Sequence, residues 1–195
     1  MNDTLLWYTA RGAGVVSLLL LTGSVGLGVA STWRTSPGSW PRFLVGALHR
    51  NVALLTLLFL GIHIVTAVVD PFTHLGWTAA VIPFASWYRP FWLGLGTIAA
   101  ELLVAIVATS LLRRFLGYGA WRSIHWLTYA SWPVALVHGL GTGTDSGSVW
   151  LRALDGICLA VIMVLVGARL WLGSGDPLVA ARLRFREAVH RPLEP

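Results

Sequence analysis

Four histidines lie inside strongly apolar stretches of the 195-residue chain, His49 and His63 in one stretch and His125 and His138 in another. The two spacings are nearly equal, 14 and 13 residues. A neutral imidazole can carry a proton or bind a metal ion. Ionisable side chains inside apolar segments are costly and are commonly functional. For a lone buried histidine, core packing is the ordinary explanation, but two pairs at matched spacing favour a site that does chemistry.

The elements that must position these histidines are membrane-spanning helices. The chain is 56% hydrophobic and only 11% charged, with a mean hydropathy of +0.72, whereas a soluble domain needs more charge on its surface. Its apolar runs reach the roughly 20 residues that cross a hydrocarbon core about 30 Å thick. We predict an all-α integral membrane bundle with five transmembrane helices. They cover residues 7–32, 44–69, 92–112, 121–140 and 150–172.

The remaining composition excludes several other classes of protein. The single cysteine, Cys158, excludes disulfides and a cysteine metal cluster. No dinucleotide fingerprint or phosphate loop is present. The first apolar run is too long for a signal peptide, so we expect a retained helix. We therefore predict a membrane domain over residues 1–172 and a basic cytoplasmic tail over residues 173–195.

The placement of arginine predicts the orientation of the spans. All 14 basic residues are arginines. They concentrate beside the first and third connections and in the C-terminal tail, whereas the second and fourth connections carry Asp70 and Asp145. The positive-inside rule then places the N-terminus outside and the C-terminus in the cytoplasm. The second and fourth spans, which carry the histidines, are therefore predicted to run parallel.

Parallel spans can bring the histidines together in pairs at two depths. Fourteen residues of helix rise about 21 Å and thirteen about 20 Å, so if His49 meets His125, then His63 meets His138. Neutral imidazole is an axial ligand of haem iron. We predict two bis-histidine haem b groups, one near each membrane face. One haem, or none, are the alternatives. With both axial positions filled, such sites transfer electrons and do not activate a substrate at the metal.

Helix geometry raises one objection to this pairing. Thirteen residues at about 100° each leave His138 about 140° away from His125 around a regular helix. The fourth span must therefore be distorted between the two ligands, and we expect the distortion at Trp132-Pro133, because an interior proline kinks a helix. The aromatic segment 70–90 is predicted to cap the outer surface, with a sixth span as the alternative.

Several other residues are candidates for supporting roles. Haem propionates are anions, and we expect Arg50, Arg89 and Arg122 to neutralise them, the alternative being ordinary interfacial snorkelling. Arg11, inside the first span, is a further candidate for a haem edge. Glu101, midway along the third span, is expected to be a buried neutral acid bonded to a neighbouring helix.

Small and peripheral residues complete these expectations. Gly46 and Gly61 precede the histidines of the second span and are expected to make room for the haem faces. Gly28, in the first span, is assigned to close helix packing. His74 and His190 lie outside the spans and are expected to be surface residues.

Three stretches around the second pair of ligands resemble the ferric reductase-like transmembrane domain superfamily. They are residues 89–96 (RPFWLGLG), 109–117 (TSLLRRFLG) and 121–129 (WRSIHWLTY), with His138 following. The likeness covers residues 44–140. The superfamily includes NADPH oxidases, ferric reductases and the haem-binding membrane subunit of the bacterial methionine sulfoxide reductase system. The arginine-proline opening is similar to the bacterial subunit, and the spacing of His49 and His63 is similar to the oxidases.

The resemblance implies an electron-transfer role for this chain. The four histidines match the family's ligand positions, and electrons would pass from a cytoplasmic or quinol donor to an extracytoplasmic acceptor protein or small oxidant. No flavin and nicotinamide domain follows the last span, so we expect a separate flavoprotein or quinol donor, with FMN or quinone as further cofactors. We expect a bacterial inner membrane location. The alternatives are a non-catalytic haem-containing anchor for a redox partner and a transporter with histidine-lined proton sites.

Overall fold

A computed structural model describes residues 2–31, 41–71, 75–142 and 147–174. Within these ranges the secondary structure is helical and contains no strand, as expected for an all-α protein. The helices are α1 (Asn2–Ala30), α2 (Arg42–Val69), α3 (Gly76–Val81), α4 (Pro90–Leu111), α5 (Tyr118–His125), α6 (Thr128–Thr142) and α7 (Val149–Ser174). Residues 175–195 of the predicted tail, with His190, and also His74 lie outside the described residues; α7 extends to Ser174.

Four of these helices, α1, α2, α4 and α7, are each long and apolar enough to cross a membrane. They correspond to four of the five predicted spans. The predicted fourth span is instead two shorter helices, α5 and α6, of 8 and 15 residues. The predicted span over residues 121–140 is thus formed by two helices.

The break between α5 and α6 falls immediately after His125. The backbone N–H groups of Leu127, Tyr129 and Ala130 bond to carbonyls three residues earlier, at 3.0 to 3.1 Å, which is the tighter 3₁₀ pattern. Pro133 lies inside α6, which continues through it. The expected distortion between the two ligands is confirmed, but its expected position at Trp132-Pro133 is wrong. The objection from the 13-residue spacing assumed a regular helix, and the tight turn interrupts that helix between His125 and His138.

The helices pack as two pairs that face each other. α2 packs along α1, α6 packs along α4, and α7 packs against α1. Trp132, which is only 4% exposed, joins the pairs by donating from its indole N–H to the hydroxyl of Thr22 at 2.9 Å. The apolar core around it contains Leu21, Val25, Leu103, Val107, Leu136, Cys158 and Ile162. α2 and α6 make almost no direct contact.

The segment between α2 and α4 is a cap, as predicted, and does not form a sixth span. Its helix α3 has only six residues, far short of a membrane crossing. The hydroxyl of Thr97 on α4 donates to the carbonyl of Ala79 at 2.9 Å. Phe84 lies against Gly94, where an added Cβ would come within 2.2 Å of its ring. The cap is therefore fixed to the start of α4.

Glu101 does not occupy the buried position expected from the sequence. Its side chain is exposed, on a face of α4 that also exposes Val104, Ala105 and Ala108. This face points away from α6, which covers the opposite side of α4 around Ala99 and Leu103. The prediction of a buried, bonded carboxyl within the chain is wrong.

Candidate haem site

The fold brings the four histidines together in the two predicted pairs. The ring centroids of His49 and His125 are 6.1 Å apart, with the ring planes at 70°. The centroids of His63 and His138 are 6.3 Å apart, with the planes at 78°. Each pair joins α2 to the α5–α6 unit across the gap between the helix pairs.

This separation fits two imidazoles bound to one iron. With metal–nitrogen bonds of about 2.0 Å and ring nitrogens about 1.1 Å from their centroids, two imidazoles on opposite sides of one metal have centroids about 6.2 Å apart. A direct hydrogen bond between facing ring nitrogens would bring the centroids to about 5 Å. The observed distances of 6.1 and 6.3 Å therefore favour axial ligation over a proton-passing imidazole pair.

The donor set fits an iron that receives its remaining ligands from a porphyrin. Among the described residues, no group of three or more His, Cys, Asp or Glu side chains could hold a metal ion. Each site offers only two imidazoles, one from each side. A haem, whose four pyrrole nitrogens complete the coordination, fits two such opposed ligands.

Three of the four histidines are held by hydrogen bonds from Nδ1 to backbone carbonyls. His63 donates to Ala10 at 2.7 Å, His49 to Ser24 at 2.9 Å, and His138 to Trp92 at 2.8 Å. A carbonyl oxygen can only accept, so Nδ1 carries the proton in each ring. Nε2 is left with its lone pair, which is the state that a metal requires.

The spacing of the carbonyl acceptors on α1 matches the 14-residue spacing of the histidines on α2. α1 and α2 run antiparallel, and the acceptors Ala10 and Ser24 on α1 are 14 residues apart, as are His63 and His49 on α2. Each histidine of α2 thus meets a carbonyl at its own depth. α4 supports the other two histidines differently, His138 through the Trp92 carbonyl and His125 through the Ser110 hydroxyl oxygen.

His125 has a different partner from the other three ligands. Its Nδ1 lies 3.4 Å from the hydroxyl oxygen of Ser110, which also accepts a bond of 3.2 Å from the indole N–H of Trp121. Because that hydroxyl donates its one proton to the Ile106 carbonyl at 2.7 Å, it can only accept from the imidazole, and Nδ1 of His125 is the donor in this contact. The indole also stacks on the His125 ring, with centroids 5.2 Å apart and planes at 28°. This ligand is held by side chains of α4 and α5.

A cavity of about 650 Å³ opens at the His63–His138 level. It lies between α1, α2, α4, α6 and α7, under the cap, and both imidazoles line it together with mainly apolar side chains. The volume is within the range of about 300 to 1,000 Å³ that small-molecule and cofactor sites occupy. The cavity therefore has the position, size and lining that a haem needs.

The three arginines that were predicted to neutralise haem propionates lie in different surroundings. Arg50 and Arg122 are exposed, on α2 and α5, on the side of the His49–His125 pair. Arg89 adopts a left-handed conformation (φ 42°) just before α4. Its guanidinium donates to the carbonyl of Gly141 at 2.8 Å, so it ties the start of α4 to the end of α6. Contact with a propionate stays a prediction for all three.

The cavity instead presents Arg11 and Asp155. Both residues line it, and the Arg11 guanidinium lies 4.9 Å from the centroid of the Trp7 ring. Asp155, on α7, is 9% exposed. Arg11 is thus the cation that the structure places in the wall of the His63–His138 site.

Sequence reasoning missed the groups that hold the ligands. The acceptors for Nδ1 are main-chain carbonyls, which leave no mark in the residue type. The expected glycines, Gly46 and Gly61, have open space where a Cβ would be. The glycines that do contact ligand rings are Gly14, Gly28 and Gly96, and their only signal was a position on the spans that carry no ligand.

Comparison with known proteins places this arrangement in a family. A family model described as the ferric reductase like transmembrane component matches residues 13–136, which include α2, α4, α5 and most of α1. No curated protein matches the chain, and no solved structure matches it. The chain is thus a membrane component with a redox or electron-transfer role, and it belongs to the ferric reductase-like transmembrane family.

Proposed function

We propose that this protein binds two haem b groups and carries electrons across the bacterial inner membrane. His49 and His125 hold the haem nearer the cytoplasm, and His63 and His138 hold the haem nearer the outside. Electrons come from a separate flavoprotein or from membrane quinol, and they leave to an extracytoplasmic acceptor protein or small oxidant. The observation that carries the proposal is the pair of imidazole separations, 6.1 and 6.3 Å, with Nδ1 of each ring beside a hydrogen-bond partner.

The side chains divide the work as follows. The imidazoles supply neutral Nε2 ligands, and the carbonyls of α1 and α4 keep them in that tautomer. A haem held by these imidazoles would supply a reversible one-electron iron couple. Arg11 lines the outer cavity, and Arg50 and Arg122 are exposed on the inner side, where these cations would meet haem propionates. The cap lies over one end of the outer cavity.

The direction of transfer rests on the arginine distribution and on how open each level is. α5, beside the inner pair, has no buried residue, whereas the outer pair lies under the cap. A donor on the cytoplasmic side can therefore approach the inner pair closely. The outer acceptor meets the aromatic cap segment, whose Trp77 and Trp87 are 60% and 67% exposed.

Haem content tests the first half of the proposal. Protein purified after expression with adequate haem should contain close to two haem b per chain in a pyridine haemochrome assay. A folded, colourless protein would refute haem binding and leave the transporter reading. A ratio near one would limit the protein to a single site.

Transfer across the bilayer tests the second half. We suggest liposomes that contain the protein and entrapped ferricyanide, with dithionite outside. Wild type should reduce the entrapped ferricyanide. The His49→Ala and His63→Ala variants, each with one haem, are the matched controls and should not. Two haems that do not pass electrons to the interior would instead support the anchor.

A further inference from the structure

A repeated backbone arrangement lies behind three of the four proposed ligands. The carbonyls that accept from Nδ1 belong to Ala10, Ser24 and Trp92. In each case the residue four positions later is a glycine: Gly14, Gly28 and Gly96. The arrangement recurs on two helices that carry no ligand.

Helix geometry explains why glycine is placed four residues after the acceptor. The Cα–Cβ bond of a helical residue tilts toward the N-terminus, so its side chain lies over the preceding turn. The carbonyl of residue i already accepts from the N–H of residue i+4 and has a second lone pair to offer. A side chain at i+4 would cover that lone pair, and glycine leaves it open to the imidazole.

The distances at the three glycines support this explanation. An added Cβ would come within 3.0 Å of the His63 Nδ1 at Gly14, 3.4 Å of the His49 Cε1 at Gly28, and 2.4 Å of the His138 Cε1 at Gly96. At the first and third positions the ring would have to move. The movement would lengthen or break the bond of 2.7 or 2.8 Å to the carbonyl.

We propose that Gly14, Gly28 and Gly96 are positioning residues that set the donor strength of the haem ligands. They admit each imidazole to a carbonyl, and the resulting Nδ1–H bond fixes the tautomer and raises the basicity of Nε2. A more basic ligand stabilises ferric over ferrous iron and lowers the midpoint potential. This inference rests on the proposed haem binding and adds which residues tune each level.

Alanine substitutions at the three glycines should change the haem midpoint potentials by different amounts. Gly96→Ala and Gly14→Ala should each raise the midpoint potential of the outer haem. Gly96→Ala should have the larger effect, with haem affinity lower by about 10- to 100-fold. Gly28→Ala, where the ring needs to shift only slightly, should keep both haems and raise the inner potential by a smaller amount. The measurement is an optical redox titration of each purified variant, with haem per chain.

A matched control separates positioning from helix stability. Gly23, also on α1, has nothing within 4 Å of an added Cβ, so Gly23→Ala should leave both potentials unchanged. The inference is overturned if the three test variants titrate like wild type, or if Gly23→Ala shifts the potentials as much. If the Gly96→Ala variant does not fold, the inner-haem midpoint potential of the Gly28→Ala variant still tests the inference. Wild-type protein without haem would refute the proposed function itself, a different outcome from any of these.

Discussion

The two histidine levels use the same ligands in different surroundings. At the His63–His138 level both imidazoles donate to carbonyls, at 2.7 and 2.8 Å, and a partly open cavity lies beneath a cap. At the His49–His125 level one imidazole donates to a carbonyl at 2.9 Å. The other, His125, faces the Ser110 hydroxyl at 3.4 Å and lies on α5, which has no buried residue. The outer level is thus covered by the cap, and the inner level is open to a partner on the arginine-rich side.

Removing a ligand tests most directly whether the levels are independent. His63→Ala or His138→Ala should abolish the outer haem and leave the inner one, because the two pairs are separated by about 21 Å of helix. His49→Ala or His125→Ala should do the reverse. The haem content measured by a pyridine haemochrome assay should fall from two per chain to one, and a redox titration should identify which haem remains. Equal loss of both haems in every variant would mean that the depth pairing is wrong.

The sequence predicted the ligands and their pairing geometry more fully than their supports. Histidines inside apolar runs are visible in a sequence, and helix rise converts their spacing into depth. The hydrogen-bond acceptors are backbone carbonyls, whose exposure depends on the packing of α1 against α2 and of α4 against α6. That packing involves residues more than 40 positions apart, such as Ala10 and His63, and no local pattern specifies it.

The turn at Trp126-Leu127 shows a similar limit. Proline is the strongest local signal for a kink, and it drew the prediction to Pro133. The helix instead ends where Thr128 donates from its hydroxyl to the carbonyl of His125 at 2.8 Å and the backbone tightens. Glu101 was misplaced for another reason: a mid-span carboxyl was assumed to need a partner within the chain, and the face of α4 that carries it is uncovered.

Disturbing the cap should affect only the covered level. Gly94→Ala would place a Cβ within 2.2 Å of the Phe84 ring, and overpacking of this kind costs about 1 to 3 kcal/mol. Phe84 already has a positive φ of 64°, so it has little freedom to adjust. We expect a lower thermal midpoint and faster oxidation of the outer haem by ferricyanide in stopped-flow measurements. Unchanged oxidation of that haem would show that the cap does not shield it.

Arg11 and Arg89 offer a smaller and more specific contrast at the same level. Arg11 lines the cavity, whereas Arg89 bonds to the Gly141 carbonyl. If Arg11 meets an outer propionate, Arg11→Gln should weaken outer haem binding by about 1.5 to 3 kcal/mol, the range for a hydrogen bond to a charged group. Arg89→Gln should leave haem affinity nearly unchanged. Haem transfer to apomyoglobin measures both, and equal losses in the two variants would remove the distinction.

The smallest expected effect is at the open level, where the Ser110 hydroxyl faces His125. A contact of 3.4 Å is beyond the usual length of a strong hydrogen bond, and Trp121 still stacks on the ring after its loss. Ser110→Ala should therefore keep both haems and shift only the inner potential, by less than Gly28→Ala does. Ser123→Ala is the control, because Ser123 lies on α5 with His125 and its hydroxyl donates to the Gly119 carbonyl. An inner shift larger than that of Gly28→Ala would mean that side chains, and not main-chain carbonyls, dominate ligand strength at this level.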